Sequence, residues 1–107
     1  MQKIDDDTIK RLKSQHKQQL YVITDRDGDE YVCRCPTSAE VERQFQNAEN
    51  GMSKFEAMLG VVKTCIVWPD AETFSRMLEE FPMLSVTLDA KIGEIAKLDQ
   101  KARVKKL

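Results

Sequence analysis

Two short runs rich in β-branched and aromatic residues, Leu20–Thr24 and residues 31–35, flank an acidic loop that contains Asp27-Gly28. Runs of this composition favour strands, and Asp-Gly is a preferred dipeptide for two-residue turns between antiparallel strands. The segment therefore predicts a β-hairpin. An isolated hairpin is only marginally stable in water, so the rest of the chain must supply cover for it.

The turn decides which hairpin side chains share a face. If Asp27-Gly28 forms a two-residue turn, whose backbone needs positive φ, Ile23 lies opposite Val32. One face then holds Leu20, Val22, Thr24, Tyr31, Cys33 and Cys35, and the other holds Tyr21, Ile23, Val32 and Arg34. Both faces are partly apolar, so the second face is either covered by a helix or presented to another chain. We interpret it as a partner contact, which makes Tyr21, Ile23 and Val32 candidate binding residues.

Helix signals fill most of the remaining chain. Thr37-Ser38-Ala39-Glu40 has the capping-box pattern of a helix start, and residues 53–56 repeat it. Asp70 caps a further helix after the break at Trp68-Pro69, and Pro82 forces the next boundary. Apolar residues recur at helical spacing, and we expect them to face inward: Val41, Phe45 and Ala48; Phe55, Met58, Leu59, Val62 and Ile66; Phe74, Met77, Leu78 and Phe81; Leu84, Leu88, Ile92, Ile95 and Leu98.

The chain has 107 residues, of which 41% are hydrophobic, and this suffices for one domain. We predict an α+β fold over residues 19–99, in which one two-stranded antiparallel hairpin packs with about four α-helices. Residues 1–18 are predicted to form a weakly anchored surface helix, because their apolar residues are sparse. Residues 100–107 form a basic tail.

Charge is unevenly distributed, although the net charge is only −1. Residues 19–90 contain six basic and thirteen acidic residues, whereas residues 1–18 and 91–107 are net basic. This balance excludes a disordered polyelectrolyte and a generally basic nucleic-acid binder. No stretch reaches the roughly 20 apolar residues of a membrane span, and the first residues lack the apolar core of a signal peptide. We therefore expect no membrane partner and a cytoplasmic location. The odd number of cysteines, three, makes a disulfide framework unlikely, and reduced thiols fit the same compartment.

The patterns that resemble catalytic or metal sites are incomplete. Asp25, Asp27 and Asp29 alternate as in a calcium loop, but other residues occupy the positions that need glycine and a bidentate carboxylate. The three cysteines lack zinc-knuckle spacing, which favours their burial as small hydrophobic side chains. His16, the only histidine, lies in a polar segment, and the four scattered glycines form no phosphate loop. We predict no catalytic residue, no metal and no cofactor.

Trp68 and the basic tail are further candidates for partner contact. Tryptophan is enriched among binding hot spots, although buried packing is its default role. The tail has no interleaved aromatic residues, so it favours solubility or pairing with an acidic surface over nucleic-acid binding. Its candidate residues are Lys101, Arg103, Lys105 and Lys106.

Several segments follow one another in an order that is similar to a known family. They are Tyr31-Val32-Cys33-Arg34-Cys35-Pro36-Thr37-Ser38-Ala39-Glu40, a short helix through Phe45, Cys65-Ile66-Val67-Trp68-Pro69-Asp70, Phe74-Ser75-Arg76-Met77-Leu78-Glu79-Glu80-Phe81-Pro82, and a closing helix. Over residues 20 to about 98, this order resembles the small tail assembly chaperones of long-tailed bacteriophages. The resemblance implies a non-enzymatic factor in the host cytoplasm. Such a factor binds the long helical tape-measure protein, keeps it soluble and helps recruit tail tube proteins.

Two other functions stay open at this point. The acidic stretch 19–90 is compatible with a small phage effector that inhibits a host nucleic-acid enzyme by mimicking nucleic acid. A nucleic-acid-binding module that uses the basic tail ranks last. Self-association is possible, and the sequence does not decide it.

Overall fold

The computed structural model describes residues 2–99 and Lys106, without the side chains of residues 97–99. These residues contain five helices and three strands, in the order α1 (Asp6–Gln15), β1 (Leu20–Thr24), β2 (Glu30–Arg34), α2 (Ser38–Glu49), α3 (Lys54–Cys65), β3 (Ile66–Trp68), α4 (Ala71–Glu80) and α5 (Leu84–Asp99). The strands form one antiparallel sheet in the order β1-β2-β3. The α+β class is confirmed, but the sheet has one strand more than the predicted hairpin.

Strand β3 replaces the end of a predicted helix. Helical spacing places Ile66 beside Val62, but α3 ends at Cys65 and the next three residues pair with β2. A residue that precedes proline is biased away from helical φ and ψ, and Trp68 precedes Pro69. A strand of three residues is also too short to show an alternating pattern, so the spacing of apolar residues could not reveal it.

The hairpin register differs by one residue from the predicted register. Ile23 lies opposite Tyr31, and Val22 lies opposite Val32. Because side chains alternate along a strand, a slip of one residue moves every side chain of one strand to the other face relative to its partner. The predicted faces are therefore wrong. The inner face holds Tyr21, Ile23, Tyr31 and Cys33, and the outer face holds Leu20, Val22, Thr24, Glu30, Val32 and Arg34.

The hairpin loop explains the change of register. The predicted two-residue turn needs positive φ at Asp27 and Gly28, whereas only Gly28, with φ of 86°, has a positive φ in this fully described loop. The backbone N–H of Asp25 donates to the Asp29 carbonyl at 2.9 Å. The Asp25 carboxylate accepts the backbone N–H groups of Asp27 and Asp29, each at 2.9 Å. Together these bonds close a loop of three residues, with glycine in its left-handed position.

The core lies between the inner face of the sheet and helices α3, α4 and α5. The rings of Tyr31 and Phe74 meet edge to face there, with centroids 6.3 Å apart. Cys33 and Cys65 are fully buried, which confirms the prediction that these thiols act as packing side chains, whereas Cys35 is only partly buried. The buried cluster consists of Ile23, Tyr31, Cys33, Val62, Cys65, Ile66, Phe74, Leu78, Leu88 and Ile92.

The predicted helix starts are confirmed, but three predicted inward contacts are not. Thr37, Ser53 and Asp70 cap α2, α3 and α4 by accepting a backbone N–H three residues later. The exposed fractions of the phenylalanines are large: Phe45 67%, Phe55 50% and Phe81 57%. Helix α2 buries none of its residues, Phe55 lies in the first turn of α3, and Phe81 caps α4 with φ and ψ outside the helical region. In a helix that buries no residue, in a first turn or at a cap, the spacing of apolar residues does not determine which side chains become buried.

The N-terminal segment is joined to the start of β2. The Glu30 backbone N–H donates to the Gln2 carbonyl at 2.7 Å, and the Ile4 N–H donates to the Glu30 carboxylate at 3.1 Å. The backbone N–H of Gln2 also donates to the Asp29 carboxylate. Helix α1 then buries a single side chain, Leu12, which is 4% exposed. The segment is thus held by polar bonds at one end and by one fully buried apolar side chain in α1.

Candidate functional site

The outer face of the sheet carries an apolar surface that is only partly covered. Val22 and Val32 lie opposite each other there, and Trp68 of β3 lies opposite Val32 on its other side. Paired residues of neighbouring strands share a face, so these three side chains lie on one surface. Val32 is 3% exposed and Val22 is 49% exposed. The side chains that cover this face therefore bury the central strand β2 but leave the edge strand β1 partly exposed.

An open cleft of about 260 Å³ occupies this position. The N-terminal segment and α1 form one wall, and β1 and β2 form the floor. Lys13 and Gln19 are the strongly polar residues at its border. Six aliphatic residues form most of the lining: Ile4, Ile9, Leu12, Leu20, Val22 and Val32.

The structure separates the residues that the sequence placed on one binding face. Tyr21 borders the cleft and also packs against the core, and Val32 lies in the cleft floor. Ile23 belongs to the inner core and is 6% exposed, so it offers almost no surface to a partner. Trp68 is partly exposed at the end of β3, and Lys106 is exposed. Of the other tail candidates, Lys101, Arg103 and Lys105 lie outside the described residues.

Sequence reasoning missed most of the aliphatic lining of the cleft: Ile4, Ile9, Leu12, Leu20 and Val22. The predicted two-residue turn puts Val22 on the face opposite Val32, whereas the observed three-residue loop puts both on the same face. A signal for the correct register was present in the chain, since Asp25 can accept the N–H groups of its own loop. The contact of Leu12 with the sheet depends on where α1 packs, and a sparse apolar pattern cannot specify that.

An ion pair closes the outer face at the end of β2. Arg34 donates two hydrogen bonds to the Glu40 carboxylate, at 2.7 and 2.8 Å. The same carboxylate accepts the Thr37 backbone N–H at 2.8 Å, which completes the capping box of α2. The hydrogen bonds from Arg34, followed by the backbone bond at Thr37, lower the pKa of Glu40 from 4.5 to about 2. The pair thus joins strand β2 to the start of α2 while Glu40 is ionised.

Three buried groups of the core, Cys33, Cys65 and Tyr31, have pKa values raised in favour of their neutral forms. Burial raises the pKa of Cys33 to about 12 and that of Cys65 to about 11. Burial, followed by the hydrogen bond to Asp25, raises the pKa of Tyr31 above its usual range. At neutral pH these shifts keep the thiols protonated, and a protonated thiol is a poor nucleophile and metal ligand. Among the described residues, no three of His, Cys, Asp and Glu lie together in a group that could hold a metal ion.

Comparison with known proteins supports the fold alone. No protein-family model and no curated protein matches the chain. A solved structure of an uncharacterised protein from Bacillus stearothermophilus is similar to it, with a TM-score of 0.66 and 23% sequence identity. The similarity covers 91% of this chain and 99% of that one. In the part of the chain that the structure describes, no helix is long and apolar enough to cross a membrane.

Proposed function

We propose that the protein is a non-enzymatic tail assembly chaperone of a long-tailed bacteriophage, which binds an amphipathic helix of the tape-measure protein in the host cytoplasm. The observation that carries the proposal is the open aliphatic cleft between α1 and the outer face of the sheet. The order of segments over residues 20 to about 98, which resembles the small tail assembly chaperones, supports the identity of the client.

The size and lining of the cleft suit the apolar side chains of a helix. A dry apolar cavity of about 150 Å³ accepts a benzene molecule, so a cleft of about 260 Å³ accepts a large side chain of a client. An amphipathic helix presents such side chains on one face and docks them in an apolar groove. Lys10, Arg11 and Lys13 are exposed on α1. They favour a client helix with acidic residues beside its apolar stripe.

A chaperone role follows from the chemistry of such a client. A long helical protein with an exposed apolar stripe aggregates before its final partners arrive. Covering part of the stripe with a small domain keeps it soluble. A cleft that is open on one side releases the client more readily than a closed core would, and release is required when tail tube proteins assemble around it.

Coexpression with the tape-measure protein of the same phage tests the proposal. Wild type should keep the client soluble and elute with it in a stoichiometric complex. Val22→Asp places a charge on the cleft floor. The residue is already 49% exposed, so we expect the fold to be retained and the affinity for the client to fall by about tenfold or more. Phe45→Asp is the matched control, because Phe45 is 67% exposed on α2 and lies outside the cleft lining.

Two results would contradict the proposal. The first is that wild type co-elutes with neither the tape-measure protein nor a tail tube protein, which would mean that these proteins are not its clients. Equal binding by Val22→Asp and wild type would show that the cleft is not the contact surface. Circular dichroism on each variant separates loss of binding from loss of fold.

The acidic stretch gives less support to a nucleic-acid mimic. Its carboxylates come from the hairpin loop and from every helix from α2 to α5. A mimic of nucleic acid must concentrate negative charge on one surface. Inhibition of a host nucleic-acid enzyme by micromolar protein would nevertheless favour this function over the chaperone.

A further inference from the structure

A second apolar groove lies where α3, α4 and α5 meet, on residues that the client cleft does not use. Its volume is about 240 Å³, and Leu59, Leu78 and Pro82 contribute to its lining. Phe55 stands at its border with 50% of its surface exposed. The residues on either side of Pro82 are also exposed, Phe81 by 57% and Met83 by 70%. So much exposed apolar surface around one groove is typical of a protein contact.

The two sides of this groove carry opposite charges. Lys63 lines it from α3, and Glu79 lines it from α4. Both side chains are exposed. The described residues contain ion pairs within 4.0 Å only at Arg34–Glu40 and Lys91–Glu94. Lys63 and Glu79 therefore face the same groove without pairing with each other.

We propose that this groove is the interface of a symmetric homodimer. A two-fold axis brings the same patch of both copies together, so the patch must complement itself. With the axis running along the groove between α3 and α4, Lys63 lies opposite the partner's Glu79, and Glu79 lies opposite the partner's Lys63. The exposed Phe55 and Met83 of each copy then cover apolar surface of the other. A second copy thus satisfies both the charges and the apolar surface of the groove, whereas a client helix would need a matched pair of charges of its own.

Light scattering coupled to size-exclusion chromatography of the full chain tests the interface. The wild type should elute with twice the 12.3 kDa mass of the chain and dissociate on dilution. In Lys63→Glu, each of the two cross-interface contacts becomes repulsive, and the same holds for Glu79→Lys. We expect each single variant to dimerise at least about tenfold more weakly than the wild type.

Mixing the two single variants gives the sharpest result. In a heterodimer of Lys63→Glu with Glu79→Lys, both contacts again join opposite charges, so the mixture should recover the dimer that neither variant forms alone. An affinity tag on one variant allows capture of the other. Glu42→Lys, which reverses an exposed charge on α2, should leave the wild-type dimer unchanged.

Three outcomes would overturn the proposal. They are a wild type that remains monomeric at the highest soluble concentration, a dimer that tolerates both charge reversals, and a mixture of variants that does not recover the dimer. Unfolding temperatures close to wild type for each variant would show that these outcomes do not arise from misfolding. Because the client cleft is untouched by these changes, failure here leaves the chaperone proposal standing, and failure of client binding leaves the dimer standing.

Discussion

The two faces of the sheet are built from similar residues but have different surroundings. The inner face contributes Tyr31 and Cys33, which are 1% and 0% exposed beneath three helices. The outer face contributes Val22 and Val32, and α1 covers it with a single fully buried side chain, Leu12. The difference shows that β-branched composition alone does not decide whether a face becomes core or stays partly exposed. That depends on how many helices pack on the face.

We infer that the inner face supplies most of the stability and that the outer face is the surface available for the proposed recognition of a client. The inner face is sealed, that is, fully covered by helices, and the burial and close packing of its side chains stabilise the folded state. A half-covered face leaves apolar area in water, and a partner can recover that energy by covering it. The expected effects of substitution should therefore fall from the inner face to the outer face.

The largest effect is expected for Phe74→Ala. Phe74 is 2% exposed and packs edge to face against Tyr31, so truncation leaves a cavity in the sealed layer. We expect the free energy of unfolding to fall by about 3–5 kcal/mol, as measured by urea denaturation. Phe81→Ala is the matched control at a residue that is 57% exposed, and it should change stability by no more than about 0.5 kcal/mol. Similar losses in both variants would remove the distinction between sealed and open surfaces.

The parts of the fold that could be predicted from sequence are those with local causes. Thr37, Ser53 and Asp70 cap helices through atoms three residues away, and their positions were correct. The register of the hairpin depends on φ at Asp27, and neither residue type nor spacing specifies that angle. Strand β3 exists because β2 is available to pair with it, which is a tertiary cause.

The candidate site was predictable only in part, for the same reason. Tyr21 and Val32 do border the cleft, but Ile23, which the predicted register puts on the same face, lies in the core. Val22 would have entered the site with the correct loop length. Leu12 could not have entered it, because its burial depends on the hydrogen bonds that tie residues 2–4 to Glu30 and so direct α1 over the sheet.

A smaller loss of stability is expected for Leu12→Ala on the outer face. Leu12 is 4% exposed, but its neighbours line an open cleft, into which the structure can relax. The free energy of unfolding should fall by about 2 kcal/mol, near the lower limit for leucine truncation in a core. Amide hydrogen exchange should accelerate more in α1 than in α5, because α1 has no other fully buried side chain. Equal acceleration in both helices would show that α1 belongs to the same cooperative unit as the core.

The smallest effect is expected for Glu40→Gln, and it should depend on pH. Glutamine can still cap α2, so the variant isolates the charge that Arg34 binds. The folded pKa of Glu40, about 2, lies below its ordinary value of 4.5. Ionised Glu40 therefore stabilises the fold above pH 4.5, and this contribution is lost as the pH falls towards 2. Since the Glu40 side chain is 21% exposed, solvent screening limits the contribution to about 1–2 kcal/mol.

Urea denaturation of wild type and Glu40→Gln at pH 7, 4 and 2 measures this contribution. The difference in unfolding free energy should be largest at pH 7 and should be nearly lost at pH 2, where the pH reaches the folded pKa of Glu40 and the carboxylate of the unfolded chain is already protonated. Glu42→Gln, at an exposed position on α2, is the control and should show no such trend. The loss caused by Phe74→Ala should be similar at all three pH values, because the contact that it removes, with the ring of Tyr31, is between uncharged groups. A Glu40→Gln difference that persists unchanged at pH 2 would mean that the outer face is held by packing rather than by charge, and would make the two faces alike.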